Sequence, residues 1–446
     1  MLTFQDLQKA EKSQKDTIDF IQKAINEHKS SAKYQTALIA DEYNRKENRT
    51  IKQYQKMLFD AAGQPTVDIY SANYKLRSNF FNRFVTQQNQ FLLGNGVRWG
   101  KDETAGKLGG DFDSKLQDAG EKALVHSVAF GFWDLDKLSV FSFLEFCPFY
   151  DEENGALRAG IRFWQIDDNH PMRATLYEED GFTEYIYRKG KEGEILQDKR
   201  TYIVKERGTA ADGMEIYDGE NYPGFPIVPL WGNKYHQSEF IGMRENIDCY
   251  DLIKSGFASD IDEAQEIYWI IQNAGGMDDV DMVEFLRRLK SRKVASVDDD
   301  QSVEAKTVEV PTEAREAMLE RLRSDMYEDF MGLDTKNLAS GAVTATQIEA
   351  AYEPMNEKAD KYEYCIIDFI SGILRIVGIE DTPTFTRSMV VNVSESINNV
   401  LAAAQYLSSD YVTKKILTLL GDGDRAETIL KEMDGEDIDR FGGDDE

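Results

Sequence analysis

Cysteine is scarce in this chain of 446 residues: there are three, Cys147, Cys249 and Cys365, far apart and without a Cys-x-x-Cys pair. That spacing argues against a disulfide framework and a zinc module, and leaves a reducing compartment as the simple reading. Histidine is equally thin, with four dispersed residues, His28, His126, His170 and His236, none partnered by a His or Cys at a ligand spacing. No metal site or catalytic histidine is expected from them. Long apolar runs are missing too. The longest, Cys365 to Ile379, contains Asp368 and Arg375 and falls short of the ~20 residues that cross a bilayer. The opening, MLTFQDLQKAEKSQKD, is amphipathic and charged rather than an apolar stretch behind a basic head, so neither a secretory signal nor a membrane partner is expected. GxSxG, GxxxxGK[ST], GxGxxG and HExxH are all absent. Without a phosphate-cradling loop an NTP motor is disfavoured, and no cofactor is expected. Basic charge is in deficit, 52 side chains against 81 acidic ones for a net charge of −29, which argues against a generic affinity for nucleic acid or anionic lipid.

What is present is a change of period along the chain. Apolar residues recur at helical spacing from Asp6 to His28 and from Tyr34 to Phe59, and a third helix is expected over Ser71 to Leu93, stopped by Gly94-Asn95-Gly96. After a solvated Gly/Asp/Lys connection, Leu116 to Phe132 reads as a short helix. Then the period becomes two: Leu138 to Phe149, Ala156 to Gln165, Arg173 to Tyr177, Phe182 to Arg188 and Glu194 to Val204 predict an antiparallel sheet. Beyond Pro226-Ile227-Val228-Pro229 a long helix is expected over Glu239 to Gln265. A βαββ block follows: strand Glu266 to Gln272, helix Val280 to Lys290, strands Lys293 to Val297 and Val303 to Val310. Pro311 opens a second long helix with acids in its first turn, and Thr344 to Val377 forms a third, kinked at Pro354. A strand over Thr384 to Val391 and two or three short helices precede Gly421 to Glu446, a tail with eleven acids and three bases. The fold class is α+β.

Few clusters invite chemistry. Asp298-Asp299-Asp300 could supply carboxylates to a hard cation, but its place between two strands favours a solvated hairpin turn. Asp422-Gly423-Asp424 opens like a calcium loop and lacks its closing Glu. Arg287, Arg288, Lys290, Arg292 and Lys293 make a basic cluster in an acidic chain, either the wet face of a short helix or a contact for an acidic partner or DNA. Leu333 to Ala345 is a long connection of small and polar residues flanked by Gly332 and Gly341, longer than the two to eight residues common between helices.

Four stretches resemble the portal, or head-to-tail connector, proteins of tailed phages, particularly long non-contractile-tailed phages of Gram-positive hosts. The most specific is KSRKVASVDDDQSVEAKTVEVPTEAREAMLERLRSDMYEDFMG, followed by Ser340-Gly341-Ala342 before another long helix. SANYKLRSNFFNRFVTQQNQFLLGNGVRW and EFCPFYDEENGALRAGIRFWQI support it, as does NVSESINNVLAAAQYLSSDYVTKKILTLLGDGDRAETILKEM. The resemblance covers nearly the whole chain.

It implies a non-enzymatic ring subunit, usually one of twelve, in the virion at a capsid vertex, assembled in the host cytoplasm. Residues 1–238 would form a wing, 239–265 and 311–332 stem helices, 266–310 a clip, and 333–345 a tunnel loop. Residues 346–392 would be a long helix with a returning wing strand, and 393–446 a short crown with the acidic tail. Double-stranded DNA would pass Asp334, Thr335, Lys336, Asn337 and Ser340 of the tunnel loop. The clip, with Arg287, Arg288, Lys290, Arg292 and Lys293, would dock the terminase large subunit and later the head-tail connector, while capsid and scaffolding proteins would surround the ring. The acidic balance suits a channel past which DNA slides without sticking. Two rivals remain: a metal-dependent nuclease or phosphoesterase, needing carboxylates that converge, and a coiled-coil scaffold, against which no sustained heptad is found.

Overall fold

The computed structural model describes residues 2–59, 63–69, 71–209, 215–264, 268–272, 283, 287, 302–306, 311–338, 345–388, 393–420, 426, 429 and 430. The chain begins with α1 (Phe4–Ala10), α2 (Gln14–Ser30), α3 (Ala32–Asn44) and α4 (Arg49–Gln53), then a hairpin of β1 (Met57–Phe59) and β2 (Pro65–Val67). Next come α5 (Phe80–Leu93), β3 (Val97–Arg98), α6 (Asp102–Leu108) and α7 (Phe112–His126). A run of strands follows: β4 (Val128–Asp134), β5 (Lys137–Ser142), β6 (Phe146–Tyr150), β7 (Leu157–Trp164), β8 (Met172–Glu178), β9 (Gly181–Tyr187) and β10 (Glu194–Arg200). It continues with β11 (Ile203–Thr209), β12 (Glu215–Glu220) and β13 (Ile227–Trp231). The last part contains α8 (Arg244–Ala264), β14 (Tyr268–Gln272), β15 (Ser302–Lys306), α9 (Thr312–Phe330), α10 (Thr335–Leu338), α11 (Ala345–Val377), β16 (Thr384–Phe385), α12 (Val393–Ala403) and α13 (Ser409–Leu420). This is an α+β chain, as its alternating periods predict.

Two compact units divide it: Met1–Leu38 with Arg83–Glu239 and Phe330–Glu446, and Ile39–Asn82 with Phe240–Asp329. In the first, β10-β9-β8-β7-β6 form an antiparallel meander in sequence order. Ile161 and Phe163 of β7, Ala174 and Leu176 of β8, and Tyr185 and Tyr187 of β9 point to one side, where Phe20, Ile21, Ala24 and Ile25 of α2 and Leu7 of α1 close the core. A second antiparallel sheet has the order β13-β4-β5. β4 is its centre, buried from Val128 to Trp133, with α7 packed on β4 and β5 and α11 packed on β13 and β4. The long helix approaches closely because glycine permits it. A Cβ on Gly131 would lie 2.4 Å from Cζ of Phe369, and one on Gly372 would lie 2.6 Å from a Val228 methyl. β16 pairs with β3.

In the second unit α8 carries a polar stripe, Asp251, Ser255 and Ser259, at spacings of four. The backbone N–H groups of Ser78, Leu76 and Tyr74 donate to those three side chains at 2.8, 2.9 and 3.1 Å. An extended chain advances ~6.7 Å in two residues and a helix ~6 Å in four, so the two runs stay in step. Asn48 also donates to Asp251, and Tyr43 and Thr50 donate to Asp248 one turn earlier.

The sheet pattern read from period two is borne out in outline, while several helix limits are corrected. Asp6 to His28 is two helices separated at residues 11–13, and Tyr34 to Phe59 ends at Asn44, where Lys46 takes φ +61° and Glu47 N–H bonds back to Glu42 O at 2.7 Å. Ser71 to Leu93 is helical only from Phe80, because Tyr74, Leu76 and Ser78 spend their N–H groups on α8. Leu116 to Phe132 is a helix that stops at Ser127, φ +78°, and then β4. Leu138 to Phe149 splits into β5 and β6, and Glu194 to Val204 into β10 and the start of β11. Ile227-Val228-Pro229 is part of β13. In the βαββ block β14 and β15 pair directly; the expected strand Lys293 to Val297 lies outside the described residues. The strand at Thr384 is two residues long, and Val390 and Val391 also lie outside. Among the described residues no helix is long and apolar enough to cross a membrane.

Candidate functional site

The connection between α9 and α11 is built on a braced base. Phe330, the last residue of α9, stacks on Phe84 of α5 at 4.7 Å with the planes 15° apart. Met331 then takes φ +60°, which turns the chain so that Leu333 enters a buried cluster with Phe91 of α5 and Tyr352, Met355 and Ala359 of α11. Gln87 of α5 clamps the Leu333 backbone at both ends, accepting from its N–H at 3.1 Å and donating to its carbonyl at 3.0 Å. A fully paired buried amide of this kind fixes the chain, since either group left unpaired would cost about 1–3 kcal/mol.

A cation completes the brace. Lys358 of α11 donates to the Phe330 carbonyl at 3.0 Å, pairs with Glu239 at 2.8 Å and lies over the Phe330 ring. Burial lowers the pKa of its ammonium, while Glu239 opposes that shift. Lys358 thus ties the long helix to the residues at which the first unit's chain breaks off, Glu239, and resumes, Phe330.

Above this base the chain changes character. Asp334 accepts from the Lys336 N–H at 3.1 Å and starts the single turn α10, a local Asp cap. Arg83 donates to the Thr335 hydroxyl at 3.3 Å. Thr335 and Lys336 are exposed. Asp334, Thr335 and Lys336 are therefore brought together at the start of the connection, with Asn337 next in the same turn; Ser340 lies outside the described residues. Of the basic cluster, Arg287 is helical and exposed, and Arg288, Lys290, Arg292 and Lys293 lie outside the described residues, as do Asp298-Asp299-Asp300 and Asp422-Gly423-Asp424. Among the described residues no group of three or more His, Cys, Asp or Glu is placed to hold a metal ion.

Reading the sequence missed Gln87, Lys358 and Glu239. Lys358 had a signal: it interrupts the stripe Tyr352, Met355, Ala359, Tyr362 and Ile366, so a lysine there is drawn inward with its helix face. Gln87 had none, because its partner is a backbone 246 positions away.

Residues 12–438 match the family model for phage portal proteins of the SPP1 Gp6-like type. The chain is 24% identical over 411 residues to the portal protein of Bacillus phage SPP1, covering 85% of this chain and 79% of that protein. It is 28% identical over 233 residues to the portal protein of Clostridium phage phiCD119, covering 47% of this chain and 51% of that one. The chain thus spans about half of the Clostridium phage relative and about four-fifths of the Bacillus phage relative. Among solved structures it is similar to the neck of an empty gene transfer agent particle computed with C6 symmetry, at 10% identity and TM-score 0.43 over 77% of this chain and 90% of that one. It is also similar to the neck of the native particle computed with C12 symmetry, at 10% identity and TM-score 0.40 over 76% and 89%. With the family model running through both units and through the braced connection, the chain belongs to the phage portal proteins of the SPP1 Gp6-like family.

Proposed function

We propose that copies of this chain close into a ring of twelve around a channel through which double-stranded DNA enters and leaves the capsid, and that the chain performs no catalysis of its own. The observation that carries this reading is the braced connection after α9. A base held by Gln87, Lys358 and the Phe84–Phe330 stack carries an exposed turn with Thr335 and Lys336, the arrangement needed by a loop that must yield to a passing rod without losing its mooring. Lys336 offers each subunit one weak, exchangeable phosphate contact, since an exposed lysine is a hydrated point charge rather than a shaped receptor. The acidic balance of the chain keeps such contacts from becoming a trap.

In this reading residues 1–238 with the returning strand at Thr384 are the wing, α8 and α9 the stem, and β14 and β15 with Arg287 part of the clip. Residues 333–345 are the tunnel loop, and α12 and α13 lie in the crown. The motor is a separate protein, the terminase large subunit, docked at the clip. A head-tail connector protein replaces it, capsid and scaffolding proteins surround the wing, and assembly takes place in the host cytoplasm. Heterologous contacts between neighbouring copies close the ring.

Negative-stain imaging with mass photometry tests the ring. Annular particles with a mass about twelve times 50.9 kDa are expected; a monomer that stays a monomer in the presence of scaffolding and capsid proteins would remove the proposal. Lys336→Ala in a packaging assay tests the loop, with slower or incomplete packaging by intact rings expected. Unchanged packaging would withdraw the lysine from the mechanism while leaving the ring in place.

A further inference from the structure

The five-stranded meander has a second face, turned away from α1 and α2. Strand register sets Arg162 opposite Thr175, Thr175 opposite Glu184, and Trp164 opposite Arg173. These residues alternate with Ile161, Phe163, Ala174 and Leu176, which enter the core, so they stand together on the other side. There the sheet forms a recess of about 340 Å³, whose lining includes Arg162, Arg173 and Arg200 from three different strands. Three guanidinium groups in one recess are unexpected in a chain of net charge −29. One is accounted for, since Arg200 pairs with Glu184 at 2.9 Å. The other two are held against rings, Arg162 over Phe141 at 4.4 Å and Arg173 over Trp164 at 5.7 Å. Among the described residues neither forms an ion pair, and the buried Nε of Arg162 has no hydrogen-bond acceptor.

We propose that this recess is a docking site for an acidic segment of a partner protein, an extended peptide that places a carboxylate beside an aromatic side chain. The planar guanidinium fork matches a carboxylate with two parallel bonds, and aromatic walls make that pair stronger than it would be in open water. The recess is at the small end for a ligand site and suits two or three side chains rather than a domain. Trp164, Leu196 and Ile166 are 41%, 43% and 72% exposed, the first two lining the recess and the third two residues past the end of β7, an apolar surface that an aromatic side chain would cover. A bare phosphate would leave that surface unused. The inference rests on this geometry and goes beyond the portal reading, which it does not require.

Fluorescence anisotropy with the full chain tests it, using labelled Gly-Glu-Asp-Phe-Glu-Asp-Gly and its neutral analogue Gly-Gln-Asn-Phe-Gln-Asn-Gly as probes. Saturable binding of the acidic probe is expected, with the neutral one at least about tenfold weaker. Arg173→Gln, at an exposed side chain whose loss leaves the core intact, should weaken the acidic probe by about fivefold or more, and Arg173→Glu should abolish its binding. Arg162→Gln should act in the same direction, with circular dichroism and thermal melting verifying its fold. Equal binding of the two probes, no binding of either, or binding indifferent to both Arg173 variants would overturn the proposal. Displacement by inorganic phosphate as effective as by unlabelled peptide would also overturn it, reducing the recess to a simple anion site.

Discussion

Lys358 and His28 show how single side chains set the behaviour of the first unit. The Lys358 ammonium sits between Glu239, the Phe330 carbonyl and the Phe330 ring, and the side chains of the pair are only 16% and 15% exposed. Removing one partner strands the other, so Glu239→Gln should cost about 2–3 kcal/mol in urea unfolding, and adding Lys358→Met to it should recover part of that loss. A double variant no more stable than Glu239→Gln alone would contradict the pairing. His28 donates from Nε2 to the Phe143 carbonyl at 2.8 Å amid Tyr34, Phe143 and Phe163. Burial, aided by the charges of Lys33 and Lys29 and opposed by the carbonyl bond, lowers its pKa to about 4. In the unfolded chain the imidazole titrates near 6.5. The folded state therefore binds the proton less readily, so this contribution is complete above about pH 6.5, is lost as the pH falls toward about 4, and changes no further below that. Roughly 3 kcal/mol should disappear across that window. In His28→Met the loss should be absent, which matched urea titrations at the two ends of the window would reveal.

At the scale of elements, tertiary partners decide what the local pattern leaves open. A helix over Ser71 to Leu93 would include residues 71–79, yet the N–H groups at 74, 76 and 78 belong to the stripe on α8. Asp251→Ala should cost about 3 kcal/mol, because it leaves the buried Ser78 amide unpaired and the Asn48 side chain with only its bond to the Ser78 carbonyl, whereas Ser255→Ala removes only neutral bonds with the Leu76 backbone and should cost about 1 kcal/mol. Chemical denaturation of the two variants ranks them. Gly131→Ala should cost about 1–3 kcal/mol as an overpacked core site, and Phe369→Leu in the same chain should relieve part of it. The meander β6 to β10 was legible because one face is buried and the other is not, which writes period two into the chain. β4 was not, since Val-Ala-Phe-Gly-Phe-Trp is buried on both faces and such a run has no period to read. The connection after α9 was legible as a long polar stretch between helices. Its mooring was not, because Gln87 and Lys358 meet it across sequence distances that no local pattern encodes.

At the scale of the whole molecule, a net charge of −29 sets copies of the chain against one another. If they assemble as proposed, association should strengthen as salt rises from about 0.05 M to about 0.5 M, over which the screening length shrinks from beyond 10 Å to a few ångströms. Mass photometry across that range should show the oligomer growing at the expense of the monomer, and the reverse trend would mean that ion pairs between copies outweigh their repulsion. The same scale gives α11 its meaning. A helix of 33 residues is about 50 Å long, joined before its midpoint to Phe330 and Glu239 by Lys358 and seated farther along on Gly131 and Val228. It has the form of a column footed on a sheet. A push delivered at its first turn would be borne by hydrogen bonds that run parallel to the load, and would arrive as compression where the Phe369 ring meets the bare backbone of β4.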